Sequence, residues 1–197
     1  MTASPRLGID PSGKLVGIRY LRSPNQDRRP RGCDAELIVV HGISLPPGRF
    51  GGPFIEQLFT NRLDASANPA FRNLKGLRVS AHLLLRRSGE ILQFVPFQRR
   101  AWHAGESRFG GRERCNDFSV GIELEGTDEL PYEPVQYRRL AAAVAALRRT
   151  YAGLWRAPVV GHSDIAPGRK TDPGPAFDWR RFDQCLAREE RQRPAAA

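Results

Sequence analysis

The sequence predicts an α/β fold: a single domain with a mixed β-sheet flanked by helices. Three observations lead there. Short apolar, β-branched runs such as "ELIVVH" (36–41) and "APVVGH" (157–162) have the length of buried strands. They alternate with longer stretches of helical periodicity, the clearest at 133–153. Two of the runs are separated only by a tight turn, so the series contains a hairpin and is not a strict βαβ repeat. A chain of 197 residues, 40% hydrophobic and 26% charged, suits one such domain and can bury a core without staples.

Taken in order, residues 1–19 read as an N-terminal extension, and "SPNQDRRPRGCD" (23–34) as an irregular polar segment. The domain proper is expected over 20–187, with 188–197 as a frayed tail. The run 36–41 is a strand ending on His41. Pro53 can open a helix over 53–63, with Phe54, Ile55, Leu58 and Phe59 on one face. "LRVSAHLLL" (77–85) and "EILQFV" (90–95) are strands around an Arg87-Ser88-Gly89 turn. In "SVGIELEG" (119–126), Val120, Ile122 and Leu124 face one way while Gly121, Glu123 and Glu125 face the other. Pro134 near the start and Arg148-Arg149 near the end mark a helix within 133–153. After the strand ending on His162, Asp178 caps a last helix over 178–190 that carries Trp179, Phe182 and Leu186 on one face.

The net charge of +10 is carried largely by arginine. Such a surface can attract nucleic acid, anionic membrane or a small acidic substrate, and it also occurs simply as an arginine-rich composition. No Walker loop, nucleic-acid recognition motif or G-x-S-x-G elbow is present. Cys33, Cys115 and Cys185 are odd in number, widely spaced and without a C-x-x-C pair, which fits reduced thiols. The first residues lack the apolar core of a secretory signal, and no apolar run approaches ~20 residues. The expectation is a cytoplasmic protein.

The chemistry-bearing residues cluster at strand ends. His41 and His162 each close an apolar run and enter a loop rich in Gly and Pro. Two imidazoles and one carboxylate form a catalytic zinc set that leaves a position for water. Asp164 and Asp172 are both open as the carboxylate, and the stiff Pro173-Gly174 backbone favours Asp172. Glu123 suits a general base held on a rigid strand, and Glu125 on the same face is its rival. Lys170 can stabilise an oxyanion. Arg78, Arg112 and Arg114 can grip carboxylates.

Four blocks, "HGISLPPGRFGGPF", "RVSAHLLLRRSGEILQFVPFQRRAWHAG", "GRERCNDFSVGIELEGTD" and "GHSDIAPGRKTDPGPAFDW", occur in register over roughly residues 20–183. Together they resemble the cytosolic 1,6-anhydro-N-acetylmuramyl-L-alanine amidases of the zinc amidase-2 group. That group is related to the peptidoglycan-recognition proteins and T7 lysozyme, whose fold the resemblance implies. It implies Zn2+ held by His41, His162 and Asp172, with Glu123 and Lys170 as catalytic residues. Arg78, Arg114, Trp102 and His103 match positions around the substrate. Gly42 departs from the asparagine usual after the first zinc histidine, which removes an amide able to touch substrate. "HSD" also departs from the family's usual segment after the second.

The implied reaction is hydrolysis of the amide between the lactyl group of N-acetylmuramic acid and L-alanine in muropeptides, by a monomer in peptidoglycan recycling. The substrate peptide is anionic; neither nucleic acid nor membrane is an expected partner. A muropeptide-binding module without catalysis and an amidase acting on intact peptidoglycan are the alternatives.

Overall fold

The structure, a computed structural model, describes residues 6–191. In chain order its strands and helices are β1 (Arg19–Tyr20), β2 (Gln26–Arg28), β3 (Leu37–Ile43), α1 (Phe54–Phe59), β4 (Leu83–Leu85), β5 (Ile91–Gln93), β6 (Arg99–Ala101), β7 (Arg108–Phe109), β8 (Arg112–Glu113), β9 (Ser119–Glu125), α2 (Pro134–Thr150), β10 (Val159–Gly161), α3 (His162–Ile165) and α4 (Trp179–Arg191). Six strands form the main sheet in the order β1-β5-β4-β9-β3-β10. Only β4 and β5 pair antiparallel within it; the other neighbours run parallel. The hairpin between them turns at Gly89, whose φ of 86° is the left-handed backbone that disfavours a side chain. The single domain with a mixed, helix-flanked sheet is therefore as expected.

Both faces of the sheet are covered, and the alternation along each strand decides which residues go where. Ile38 and Val40 of β3, Val120, Ile122 and Leu124 of β9, and Leu83 and Leu85 of β4 pack against α2 and α4. The opposite face divides. Leu84 and Leu92 meet α1 and Phe71 on one side, and Leu37 and Val39 meet Ala104, Phe118 and Ile165 on the other. The gap between these two smaller clusters, at the carboxyl ends of β3 and β9, is where the functional residues gather. Open α/β sheets place ligands at such strand ends.

The longest helix begins where local chemistry allows. Glu133 N donates to the Gln136 side chain at 2.9 Å and Pro134 occupies the first turn. Gln136 is buried and donates to the carbonyls of Leu85 and Glu125, which ties α2 to the ends of β4 and β9. The alanines of α2 bring it close to the sheet, where Ala141, Ala143, Ala145 and Ala146 are all buried. Asp178 caps α4 by accepting from Arg181 N at 2.9 Å.

Several boundaries differ from expectation. Residues 77–82 are not strand; only Leu83–Leu85 is. Asn25 Nδ2 donates to the Val79 carbonyl and Ser80 Oγ donates to the Asn25 carbonyl, and backbone bonding to Gly121 and Phe94 begins only at His82. The segment 23–34 is not wholly irregular: β2 pairs antiparallel with β6, and Arg100 grips Asp27 through two nitrogens at 2.6 and 2.5 Å. Helix α1 ends at Phe59, short of 63, where Asn61 takes φ 57°. Within 1–19, Leu15 is buried and its N–H donates to the Gln93 side chain at 2.7 Å, so this stretch packs onto the sheet edge. At the other end α4 is helical through Arg191, and the remainder of the expected frayed tail, 192–197, lies outside the described residues, as do 1–5.

Candidate metal and catalytic site

Register builds the first half of the site. Cα pairing sets His41 of β3 opposite Glu123 of β9, so both side chains leave the same face one strand apart. Strand β10 pairs with the other edge of β3, ends at Gly161 and hands His162 to the first turn of α3. The loop that follows returns Asp172: Ser163 N donates to the Asp172 carbonyl at 3.0 Å. One residue on, the Pro173 carbonyl accepts from the Tyr132 hydroxyl at 2.9 Å. The loop is therefore fastened on both sides of Asp172.

The three candidate ligands converge. His41 Nδ1 lies 3.0 Å from His162 Nδ1, and Asp172 Oδ2 lies 3.2 and 3.1 Å from the two nitrogens. Tetrahedral zinc with bonds of ~2.0–2.1 Å keeps its ligand atoms roughly 3.3 Å apart. The spacing and the donor set of two imidazoles and a carboxylate fit that ion. Burial pushes His41 down to about 4, so it is neutral at neutral pH and its contact with Asp172 is not an ion pair.

Glu123 stands apart from the cluster electrically. Its Oε2 is buried with no hydrogen-bond partner. Burial, then the neighbouring Asp172 carboxylate, raise its proton affinity well above the ordinary value, with Lys170 opposing. Glu123, Lys170, His41, His162 and Asp172 line one cavity of about 200 Å³, walled by Leu58, Phe59, Leu77 and Val79. A larger cavity of about 500 Å³, lined by Arg29, Arg99 and Tyr151, holds none of the candidate residues.

The rivals are settled by their bonds. Glu125 accepts from Gly51 N at 2.6 Å, Arg87 N at 3.2 Å and Arg86 Nη1 at 3.3 Å, which leaves it a structural anchor. Asp164 is exposed and caps its own turn through Gly161 N at 2.7 Å. Arg78 is exposed and lines a shallow cleft that shares Leu58 and Leu77 with the site cavity. Arg114 is exposed and pairs with Asp117, while Arg112 is spent on Glu36 and the Phe118 ring; neither lines the cavity. Trp102 is half-buried and does not line the cavity.

His103 lines the same cavity, but as a ring held by its neighbours. Its ring nitrogens are both engaged, with His41 Nε2 at 2.9 Å and Ser119 Oγ at 3.1 Å, so neither is free for a ligand. Gly42 also differs from expectation. A Cβ there would collide with the Tyr132 hydroxyl and approach Pro173, so a side chain would point at this packing and away from a ligand. Tyr132, Asn116, Ser119 and Arg169 were not singled out in the sequence, where no periodicity or spacing marks them.

Residues 31–175 match the family described as N-acetylmuramoyl-L-alanine amidase. The chain is 58% identical over 177 residues to the 1,6-anhydro-N-acetylmuramyl-L-alanine amidase AmpD of Escherichia coli (strain K12), covering 90% of this chain and 96% of that one. It resembles a crystal structure of a selenomethionine AmpD derivative with a TM-score of 0.87 and 55% identity, over 90% of this chain and 98% of that one. It also resembles the amidase AmiD from Escherichia coli in complex with anhydro-N-acetylmuramic acid-L-Ala-D-gamma-Glu-L-Lys, described as its substrate. That match has a TM-score of 0.54 and 28% identity, over 90% of this chain and 65% of that one.

Proposed function

This chain belongs to the N-acetylmuramoyl-L-alanine amidase family, and on that premise we propose that it hydrolyses the amide between 1,6-anhydro-N-acetylmuramic acid and L-alanine in muropeptides. The observation that carries the reading is the convergence of His41, His162 and Asp172 in one cavity with Glu123, whose buried Oε2 has no hydrogen-bond partner. The activity carried in the names of the relatives supports the substrate.

Zinc held by His41 Nδ1, His162 Nδ1 and Asp172 Oδ2 would polarise the scissile carbonyl and lower the pKa of a water toward ~7. Glu123 takes a proton from the attacking water as its oxygen bonds to the carbonyl carbon. When the C–N bond breaks, Glu123 returns that proton to the alanine nitrogen, leaving a muramyl carboxylate and a free amine. Its raised proton affinity suits both halves of this exchange. Lys170 donates to the oxyanion, a contribution whose loss typically costs ~10²–10³ in rate. Leu58, Phe59, Leu77 and Val79 limit water around the reacting atoms. The net charge of +10 favours capture of an acidic peptide. We assign the peptide carboxylates to Arg78, whose cleft shares Leu58 and Leu77 with the cavity.

The three cysteines are unpaired and no helix among the described residues is long and apolar enough to cross a membrane. With the family resemblance, these support a monomer acting in the cytoplasm on soluble products of peptidoglycan turnover. The test is incubation of purified protein with an anhydromuramyl-peptide, with and without a chelator, and identification of products by mass. Release of the intact peptide, abolished by the chelator and restored by zinc, is expected. No cleavage, or cleavage indifferent to prolonged metal removal, would defeat the reading.

A further inference from the structure

Three ligand atoms say where a cation would sit, but not why each imidazole offers Nδ1. A chain of hydrogen bonds behind His41 fixes its tautomer. Ser119 Oγ donates to the Cys115 carbonyl at 2.5 Å, so towards His103 Nε2, 3.1 Å away, it can only accept. His103 therefore carries its proton on Nε2 and leaves Nδ1 bare. That nitrogen lies 2.9 Å from His41 Nε2, which must supply the proton between them. His41 Nδ1 is then a lone pair facing His162 and Asp172.

His162 reaches the same state by another route. Its Nε2 lies 3.1 Å from the Ala104 carbonyl, which accepts only, so the proton is on Nε2 and Nδ1 is bare. Arg169 donates to the same carbonyl at 2.7 Å and holds it in place. The two anchors are consecutive residues, and both backbone N–H groups, His103 at 3.0 Å and Ala104 at 2.8 Å, converge on Asn116 Oδ1. The His103 ring rests on Gly121, where any Cβ would overlap it.

We propose that the His103–Ala104 pair, pinned by Asn116 and oriented through Ser119, is a positioning unit that sets the Nε2–H tautomer of both His41 and His162. It thereby presents two lone pairs and a carboxylate to the cation before the cation binds. The inference rests on the reading of His41, His162 and Asp172 as ligands. Without the unit, two lone pairs 3.0 Å apart would be relieved by a proton on one Nδ1, and the site would close on itself. With it, that proton shift would leave His41 Nε2 and His103 Nδ1 as two buried acceptors in contact, an arrangement that costs free energy.

The test has two parts. Long-range proton–nitrogen NMR on zinc-free wild-type protein is expected to show Nε2–H at His41, His103 and His162; an Nδ1–H at His41 or His162 overturns the inference. Zinc affinity is then measured by competition with a chromophoric chelator. Ser119→Ala is expected to bind zinc ~10–100-fold more weakly, with an Nδ1–H population appearing at His103. His103→Gln, whose amide can accept from His41 and donate to Ser119, is expected to bind closer to wild type than His103→Leu. Wild-type affinity and tautomers in Ser119→Ala would overturn the proposal. A wild-type protein that takes up no zinc would instead defeat the ligand reading itself. If Ser119→Ala does not fold, the wild-type tautomers decide.

Discussion

Replacing Glu123 by Gln separates chemistry from architecture. The amide is isosteric and enters a place where Oε2 has no partner to lose, so the fold and the ligand cluster should be unchanged. What disappears is the proton acceptor. General-base contributions of ~10²–10⁴ translate, at about 1.36 kcal/mol per decade, into roughly 3–5 kcal/mol of lost transition-state stabilisation. The loss should fall on kcat, with zinc affinity and KM close to wild type. Stability should move the other way in zinc-free protein. The folded state holds the Glu123 proton more tightly than the unfolded chain, because burial and Asp172 oppose its charge. The wild type therefore loses stability as pH rises above the ordinary carboxylate value of about 4.3, and the Gln variant lacks that loss. Steady-state kinetics on an anhydromuramyl-peptide, with denaturant melts of the metal-free proteins at pH 7, test both halves. A variant within a few-fold of wild-type kcat, or one whose lost activity tracks lost zinc, would refute the base role.

Three further expectations follow from the same geometry. Glu125→Ala should destabilise by about 1–3 kcal/mol in chemical denaturation, because it leaves the Gly51 and Arg87 N–H groups without their acceptor while Arg86 keeps Glu56 and Glu90, whereas Asp164→Ala should cost about 1 kcal/mol as a lost cap. Zinc affinity should survive in both. Gly42→Ala should push the Tyr132 hydroxyl off the Pro173 carbonyl and loosen the loop beside Asp172, weakening zinc binding; adding Tyr132→Phe, which removes the colliding oxygen, should recover part of it. In zinc-free protein, burial holds His41 at about 4 and His82 at about 3, so the unfolded chain binds these protons first. These rings contribute stability that is full above about pH 6.5 and falls as pH drops towards 4, a slope opposite to that of Glu123, so the fall should be read in the Glu123→Gln variant; melts of that variant that are flat across the window would contradict the burial of these rings.

The elements legible in the sequence are those whose signal is local. The alternation of Val120, Ile122 and Leu124 against Gly121, Glu123 and Glu125 is the side-chain period of a strand, and β9 follows it. Pro134 marks the start of α2, and Asp178 that of α4. The misread segments are those organised by distant partners. Residues 23–34 look irregular because the strand within them is held by Arg100, over 70 positions on. Residues 77–82 look like strand because their apolar pattern continues, yet Val79 and Ser80 bond to Asn25 and the strand begins only at Leu83. His103 does line the cavity, but nothing local reveals that both its nitrogens are engaged by His41 and Ser119.

By itself the sequence determined the fold class and which residue types could do the chemistry, and the family blocks assigned them roles. Strand runs ending on His41 and His162, and a stiff loop carrying Lys170 and Asp172, are local facts that any folding of this chain must respect. Tertiary structure decided between equals. Glu123 and Glu125 share a strand face, but pairing to β3 sets one beside His41 while the other is consumed by Arg86, Arg87 and Gly51. Asp164 and Asp172 share a loop, but only Asp172 is turned back onto both imidazoles. Local periodicity says which way a side chain leaves the backbone. Only the partners that meet it, brought by residues far along the chain, say whether its charge is spent or left free to react.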